Sequence, residues 1–362
     1  MKTDAKRPAV LVVAGRIDRS EAALFGGLSE RGFAITLMGD PAAPAHEAFR
    51  PADVPFAPLA PRSRLDARAV RAMRRTIAAV RPAIIHSLTA RALSNVLLAA
   101  RGASIRHVAY RGTLGNLGRL DPASRLTFLN PRVDRIICVS DAVRRYLLSL
   151  GVPETRACTI YKGHDPAWYA NQAADPAAAG VPPGRFVAAF AGNIKPLKGV
   201  PVLLDACRRL PPDSRVHVLL MGPVRDRRVR RLLRDPAIRA RVSAPGFRAD
   251  ARALIGAAQV YVMPSVRREG LPRTVIEAMC QGVPPIVSAV GGMPELVEDG
   301  QSGIVVPAGD PAALSAALLR LERDTERRHQ LGRAARTRIA ERFHIRDTID
   351  RTAALYRELL RS

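Results

Sequence analysis

A chain of 362 residues with 48% apolar content is long enough for two domains that each bury a core, and no apolar run approaches the ~18 residues of a membrane span. Its 57 Lys plus Arg against 32 Asp plus Glu give a formal charge of +25, which asks for an anionic partner. Aromatics are only 4% and no nucleic-acid-binding motif appears, even around the densest basic run, Arg225 to Arg241, so nucleic acid is an unlikely partner on this reading.

The N-terminal stretch MKTDAKRPAVLVVAGR has basic residues before an apolar run that ends after seven residues at Arg16. With no small-residue cleavage site following, it reads as a first strand rather than a signal peptide. Strand patterns at Val10 to Ala14, Ala34 to Met38, Ala83 to His86, Arg106 to Tyr110 and Arg135 to Val139 alternate with helical patterns at Ser20 to Arg31, Leu65 to Val80, Ala92 to Arg101 and Ala142 to Leu150. That alternation predicts a parallel sheet covered by helices, residues 1–165, followed by a loop and an Ala, Pro and Gly-rich linker at 166–184. Strands then recur at Phe186 to Phe190, Arg215 to Met221, Arg241 to Ala244, Val260 to Met263, Pro285 to Val287 and Gly303 to Val306, predicting a second Rossmann-like domain at 185–344. A last helix, Ile345 to Leu360 within 345–362, is apolar along one stripe. Cys138, Cys158, Cys207 and Cys280 are widely spaced in or beside apolar segments and read as reduced core residues of a cytoplasmic protein.

Tyr261 to Glu295 reads YVMPSVRREGLPRTVIEAMCQGVPPIVSAVGGMPE and sets two carboxylates, Glu269 and Glu277, around Gly270, Leu271 and Pro272. Gln259 to Pro264 suits a buried strand, and Thr274 to Cys280 holds good helix formers after Pro272, which is welcome at a first helical position. The pair then straddles a strand-to-helix turn. Amides at a helix start lack intrahelical partners and suit a diphosphate, with an acceptor-only carboxylate on each side for hydroxyl donors. A second signal is the use of lysine. Only Lys2, Lys6, Lys162, Lys195 and Lys198 break the arginine habit, and two of them fall together in AGNIKPLKGV, directly after an apparent strand. An ammonium sits against a phosphate as a compact point charge.

With these residues in order, the sequence resembles the retaining glycosyltransferases of family 4, whose two Rossmann-like domains face across a cleft in the α/β fold called GT-B. Val290 to Pro307 and Val133 to Leu147 follow two further landmarks of that family, and the likeness spans roughly residues 8–358. The resemblance implies that the E-x7-E pair binds the donor, Glu269 at hydroxyls of the transferred sugar and Glu277 at the ribose diol, while amides near Gly270 and Leu271 face the diphosphate. It implies that Lys198 aims at the diphosphate, and that the last helix crosses back to the first domain. Gly192, Asn193 and Lys195 belong to the same donor loop. Asn193 stands where many members carry Arg, so either Lys195 supplies the second positive charge or the leaving group is stabilised less than in those members.

The first domain follows the pattern less closely. Its first loop, AGRIDRSE, has only Gly15 for donor phosphates. Arg111 ends the fourth apparent strand, where members often carry His; it is assigned here to the catalytic set, although a guanidinium cannot act as a base near neutral pH. Gly112 and Thr113 in the loop RGTLGNLG, and His86 at another strand end, are the acceptor-side candidates. No two aspartates are separated by one residue, so no metal is implied and no cofactor beyond the nucleotide-sugar co-substrate. The acceptor is expected to be a glycan or lipid-linked glycan, such as lipopolysaccharide core or another envelope polysaccharide. Leu65, Ala69, Met73, Ile77 and Val80 oppose Arg64, Arg68, Arg71 and Arg75 on one helix, a pattern that suits an anionic membrane surface and a peripheral place on its inner face. A non-catalytic anion-binding protein on a degenerate GT-B scaffold is the alternative, kept open by Asn193 and Arg111.

Overall fold

The computed structural model describes residues 7–40, 54–170 and 174–361. The chain divides into two compact units, one running to Gly163 and resuming at Ile345, the other His164–His344.

In the first unit, β1 (Ala9–Val13), β2 (Ala34–Gly39), β3 (Phe56–Pro58), β4 (Ile84–Ser87), β5 (Arg106–Arg111), β6 (Arg135–Cys138) and β7 (Ala157–Thr159) pair in parallel in the order 3-2-1-4-5-6-7. The central strands are apolar without alternation, Val10 to Val13 being fully buried, because helices cover both faces. Sequence reading finds the central strands and misses β3 and β7. Both are three-residue strands at the sheet's margins, where little apolar sequence is needed and Pro58 removes no central hydrogen bond.

The helix Ala67–Val80 begins two residues later than its pattern suggests, because the Asp66 side chain caps it by accepting from Ala69 N. Its apolar stripe points inward. Ala69 and Met73 are fully buried in a cluster with Leu11, Val13 and Ile85, and Ile77 packs against that cluster. Arg68, Arg71 and Arg75 are exposed, while Leu65 and the half-buried Arg64 precede the helix and do not extend its two stripes. The apolar stripe is therefore the core face, because the sheet offers it a drier partner than water does, and the arginines opposite are left to solvent.

The C-terminal helix, Ile345–Arg361, belongs to the first unit, as the family likeness implies. It lies on the helix Arg19–Glu30 at Gly27, where a Cβ would come within 2.5 Å of Ile349 Cδ1. Tyr356 is fully buried, and its hydroxyl is 2.7 Å from His86 Nδ1. At Gly163 the chain is pinned: Ser20 Oγ donates to Gly163 O at 2.6 Å, and Gly163 N donates to Thr348 Oγ1 at 2.9 Å. The second unit starts at the next residue, ahead of the linker expected at 166–184. Within that expected linker, Pro166–Tyr169 and Pro176–Ala179 form short 3-10 turns and Tyr169 is buried, while residues 171–173 lie outside the described residues.

In the second unit, β8 (Phe186–Ala191), β9 (Val216–Met221), β10 (Val242–Gly246), β11 (Val260–Met263), β12 (Pro285–Ser288) and β13 (Ile304–Val306) form a parallel sheet in the order 10-9-8-11-12-13. Both sheets are doubly wound, reversing direction between β1 and β4 in one and between β8 and β11 in the other.

Burial pushes the imidazole of His86 down to about 3 and those of His107 and His217 to about 4. In the unfolded chain each takes a proton near 6.5, so between these values the unfolded state binds more protons and stability falls as pH falls. Each of the three contributes about 1.4 kcal/mol per pH unit within its window. Urea midpoints should drop between pH 7 and pH 5, and His86→Phe should shrink that drop; an unchanged midpoint would contradict neutral buried histidines.

Candidate active site

At the point where the second sheet reverses, the C-terminal ends of β8 and β11 are neighbours, and a crevice for ligands opens there in doubly wound sheets. The loop after β8 passes through Gly192, turns once as a 3-10 helix at Pro196–Lys198, and enters the helix Val200–Cys207 at Gly199. Gly199 has φ +64°, and a Cβ there would sit 1.8 Å from Pro264 O. The loop after β11 is thus in backbone contact with the loop after β8. Val266 N, donating to Leu197 O at 3.0 Å, fastens the two together.

That contact brings a cation to a carboxylate. Lys198 Nζ is 2.7 Å from Glu269 Oε1, and Ser265 Oγ donates to the same oxygen at 2.6 Å. Glu269 is 8% exposed, a degree of burial that an isolated carboxylate would not tolerate. Arg268, immediately before it, holds a left-handed backbone with φ +65°. In a non-glycine residue this costs about 1 kcal/mol or more and tends to accompany functional sites.

Gly270, Leu271 and Pro272 are buried and lead into the helix Arg273–Cys280. Pro272, expected as the first helical residue, instead sits just before it in the extended region, and no side chain caps the helix start. The positive end of the helix thus faces the loop without a capping side chain from Pro272. Glu277, in the second turn, is 5% exposed, with Arg273 Nε 3.4 Å from its Oε1. Tyr261, fully buried in β11, joins its hydroxyl to Thr274 Oγ1 at 2.7 Å and lies 3.2 Å from Ala191 O. It fixes the helix start against the end of β8. Lys195 and Asn193 are exposed on either side of the buried Ile194.

In the first unit, Gly15 follows β1 and its carbonyl accepts from Asp40 N at 3.0 Å. Arg111 ends β5, 8% exposed, with its guanidinium 4.8 Å from the Phe128 ring centre and donating to Gly115 O. Desolvation lowers its pKa. Arg111 thus braces its own glycine-containing loop, where Thr113 is exposed and Gly112 half-buried. His86 packs between Phe25 and Tyr356 in the interior. Among the described residues no three His, Cys, Asp or Glu side chains group as metal ligands, and no helix is long and apolar enough to cross a membrane.

The structure brings Lys198 and Glu269 together and sets both beside the helix carrying Glu277. Sequence reading overlooks Ser265 and Tyr261. The available signal for Tyr261 is a phenol inside a strand, which needs a polar partner once buried.

Comparison with known proteins covers both units. A family model described as Glycosyltransferase Family 4 matches residues 20–168, and one described as Glycosyl transferases group 1 matches residues 171–338. Among curated relatives, the putative colanic acid biosynthesis glycosyltransferase WcaL of Salmonella typhimurium is 30% identical over 224 residues, 59% of this chain and 54% of that protein. The lipopolysaccharide core biosynthesis glycosyltransferase LpsE of Rhizobium meliloti is 28% identical over 65% of each chain. The matched stretch spans about half the length of most of the curated relatives. Among solved structures, Anabaena HepE in complex with UDP-glucose superposes with a TM-score of 0.77 at 21% identity, over 97% of this chain and 99% of that one, which shows a shared fold.

Gly199→Ala should be costly, since it sets a Cβ against Pro264 O and forces a left-handed alanine. A loss of at least about 2 kcal/mol in denaturant unfolding is expected, with weaker binding of any ligand that uses Lys198. A variant as stable as the parent would mean that the two loops do not touch.

Proposed function

Because the chain belongs to the family 4 glycosyltransferases, with one family model in each unit, we propose that it transfers a sugar from a nucleotide-sugar donor to a cell-envelope glycan or lipid-linked acceptor, with retention of anomeric configuration. The observation that carries this reading is the Lys198–Glu269 pair beside an uncapped helix start at the reversal of the second sheet. The envelope acceptor follows the roles for which WcaL and LpsE are named, and the donor class follows HepE, which holds UDP-glucose.

In this reading the diphosphate lies against the amides near Gly270 and Leu271 and draws Lys198 to itself. The bond between sugar C1 and the diphosphate oxygen breaks with its electron pair on the oxygen, and the acceptor oxygen bonds to C1. Negative charge grows on the diphosphate as the bond breaks, so a nearby ammonium and the positive end of the helix stabilise the transition state more than the ground state. These groups supply the positive charge without a divalent ion. Glu277 receives the ribose hydroxyls, and Glu269 those of the transferred sugar.

A thermal-shift screen over UDP-glucose, UDP-galactose and GDP-mannose identifies the donor, since a ligand at a hundred times its dissociation constant adds about 2.7 kcal/mol of stability. With that donor, Lys198→Ala should lower turnover by on the order of a hundredfold, Glu277→Gln should mainly weaken donor binding, and Glu269→Ala should weaken both. Transfer should persist in EDTA, and NMR of the product should show the donor's anomeric configuration. Parental turnover in both Lys198→Ala and Glu269→Ala would overturn the transferase reading in favour of an anion-binding scaffold.

We further place the protein at the cytoplasmic face of an anionic membrane, held by Arg64, Arg68, Arg71 and Arg75. Since the apolar side of that helix lies in the core, the attraction is electrostatic, about 1 kcal/mol per charge and weakened by salt. Changing all four to Gln should release the protein from anionic vesicles while leaving its melting temperature in place; undiminished binding would remove this face from consideration.

A further inference from the structure

Glu269 receives two side-chain donors, and both go to one oxygen. Lys198 Nζ at 2.7 Å and Ser265 Oγ at 2.6 Å converge on Oε1, which leaves Oε2 as the acceptor open to a ligand. The two donors differ in what else they can do. Lys198 ends a flexible four-carbon stem, and its side chain is 28% exposed, so an incoming diphosphate can reach it. Ser265 is fully buried, and its chain neighbour Val266 is tied by its amide to Leu197 O at 3.0 Å. The serine hydroxyl therefore cannot follow the lysine.

We propose that Ser265 is a positioning residue for sugar transfer. It keeps hold of Glu269 Oε1 when Lys198 leaves for the diphosphate, and so keeps Oε2 aimed at the hydroxyls of the transferred sugar. The proposal rests on the donor site described above. In the free protein Lys198 and Ser265 both hold Oε1; once Lys198 turns to the diphosphate, the Glu269 side chain, still 11% exposed, can take a donor from water, but only the fixed serine keeps Oε2 turned toward the sugar. Ser265 thereby bears on recognition of the sugar and not on recognition of the nucleotide.

The test compares UDP or GDP alone with the matching sugar nucleotide that stabilises the parent in the screen. Ser265→Ala should bind the bare diphosphate as the parent does, since that ligand has no hydroxyl for Glu269. Its dissociation constant for the sugar nucleotide should rise about tenfold or more, as expected for losing a hydrogen bond to a charged group. In a Glu269→Ala background, Ser265→Ala should cost nothing further, because a residue acting through Glu269 cannot act once Glu269 is gone. Equal losses for both ligands, additive losses in the double variant, or no loss at all would each overturn the proposal. If Ser265→Ala does not fold, Ser265→Cys, nearly the same size and a poorer donor, gives the same comparison with a smaller expected rise. A parent that binds neither UDP, GDP nor any sugar nucleotide in the panel would overturn the donor site itself, an outcome separate from a parent that binds and a serine variant that is indifferent.

Discussion

The close approach of two backbones, Gly199 against Pro264, is the constraint on which the second unit's chemistry depends. The order of the second sheet makes β8 and β11 neighbours, but neighbouring strands alone leave their loops free to diverge. A residue without a side chain, in a backbone conformation few other residues accept, lets the loops touch. Lys198 lies one residue before that contact, and Glu269 five residues after Pro264. Each charge is desolvated on one side and answered by the other, so neither is left unpaired in a poorly hydrated place. The fold thereby holds a cation and an anion in fixed geometry before any ligand arrives, the condition under which fixed charges act on a transition state without reorganising.

Two of the chain's lysines, Lys162 and Lys198, sit against carboxylates as point charges. Lys162 meets both Asp18 at 2.7 Å and Glu21 at 2.9 Å, a convergence of two carboxylates on one point. Burial works against its charge, but Glu21 and Asp18 raise its pKa above the ordinary lysine value. That triad ties the start of the helix Arg19–Glu30 to the residue before Gly163, where the first unit ends. Lys198 has the corresponding task in the second unit, one ammonium between a carboxylate and the space above a helix start. A guanidinium can also span two carboxylates, as Arg208 does between Asp205 and Asp235, but it gives each a different nitrogen, whereas an ammonium offers one point. Arginines elsewhere pair with surface carboxylates, as Arg31 does with Asp350, or stack, as Arg111 does over Phe128.

Local pattern made the central strands, most helices and the strand-to-helix turn between Glu269 and Glu277 legible, because uninterrupted apolar runs and helix formers carry their own signal. The direction of the Ala67–Val80 helix was not legible. An apolar stripe opposite arginines reads the same whether it meets a sheet or a bilayer, and only the burial of Met73 decides. Nor were the partners of Ser265 and Tyr261. Ser265 is four residues from Glu269, a spacing that means little in an irregular loop, and Tyr261 reaches Ala191 across 70 residues of chain. Pro272 was misplaced by one position, since proline serves on either side of a helix start and its residue type does not say which. His86 and Arg111 lie at strand ends, where ligand contacts concentrate, yet their side chains turn to Tyr356 and to Phe128 with Gly115.

The placement of Arg111 bears on the last unassigned step of the proposed transfer, the destination of the acceptor's proton. A guanidinium buried beneath its own loop is neither basic enough to take that proton nor free to approach it. Among the carboxylates, Glu269 has Oε1 held by two donors, and its open oxygen is the one assigned to the sugar; Glu277 is buried beside Arg273. In the proposed transfer the base is the oxygen released from C1, which becomes more basic as the bond breaks. An acceptor that delivers its proton there must approach on the face from which the diphosphate departs, and the new bond then forms on the side where the old one was. Retention of configuration in the proposed transfer would then follow from where the proton goes, with Lys198 keeping the diphosphate close enough to take it.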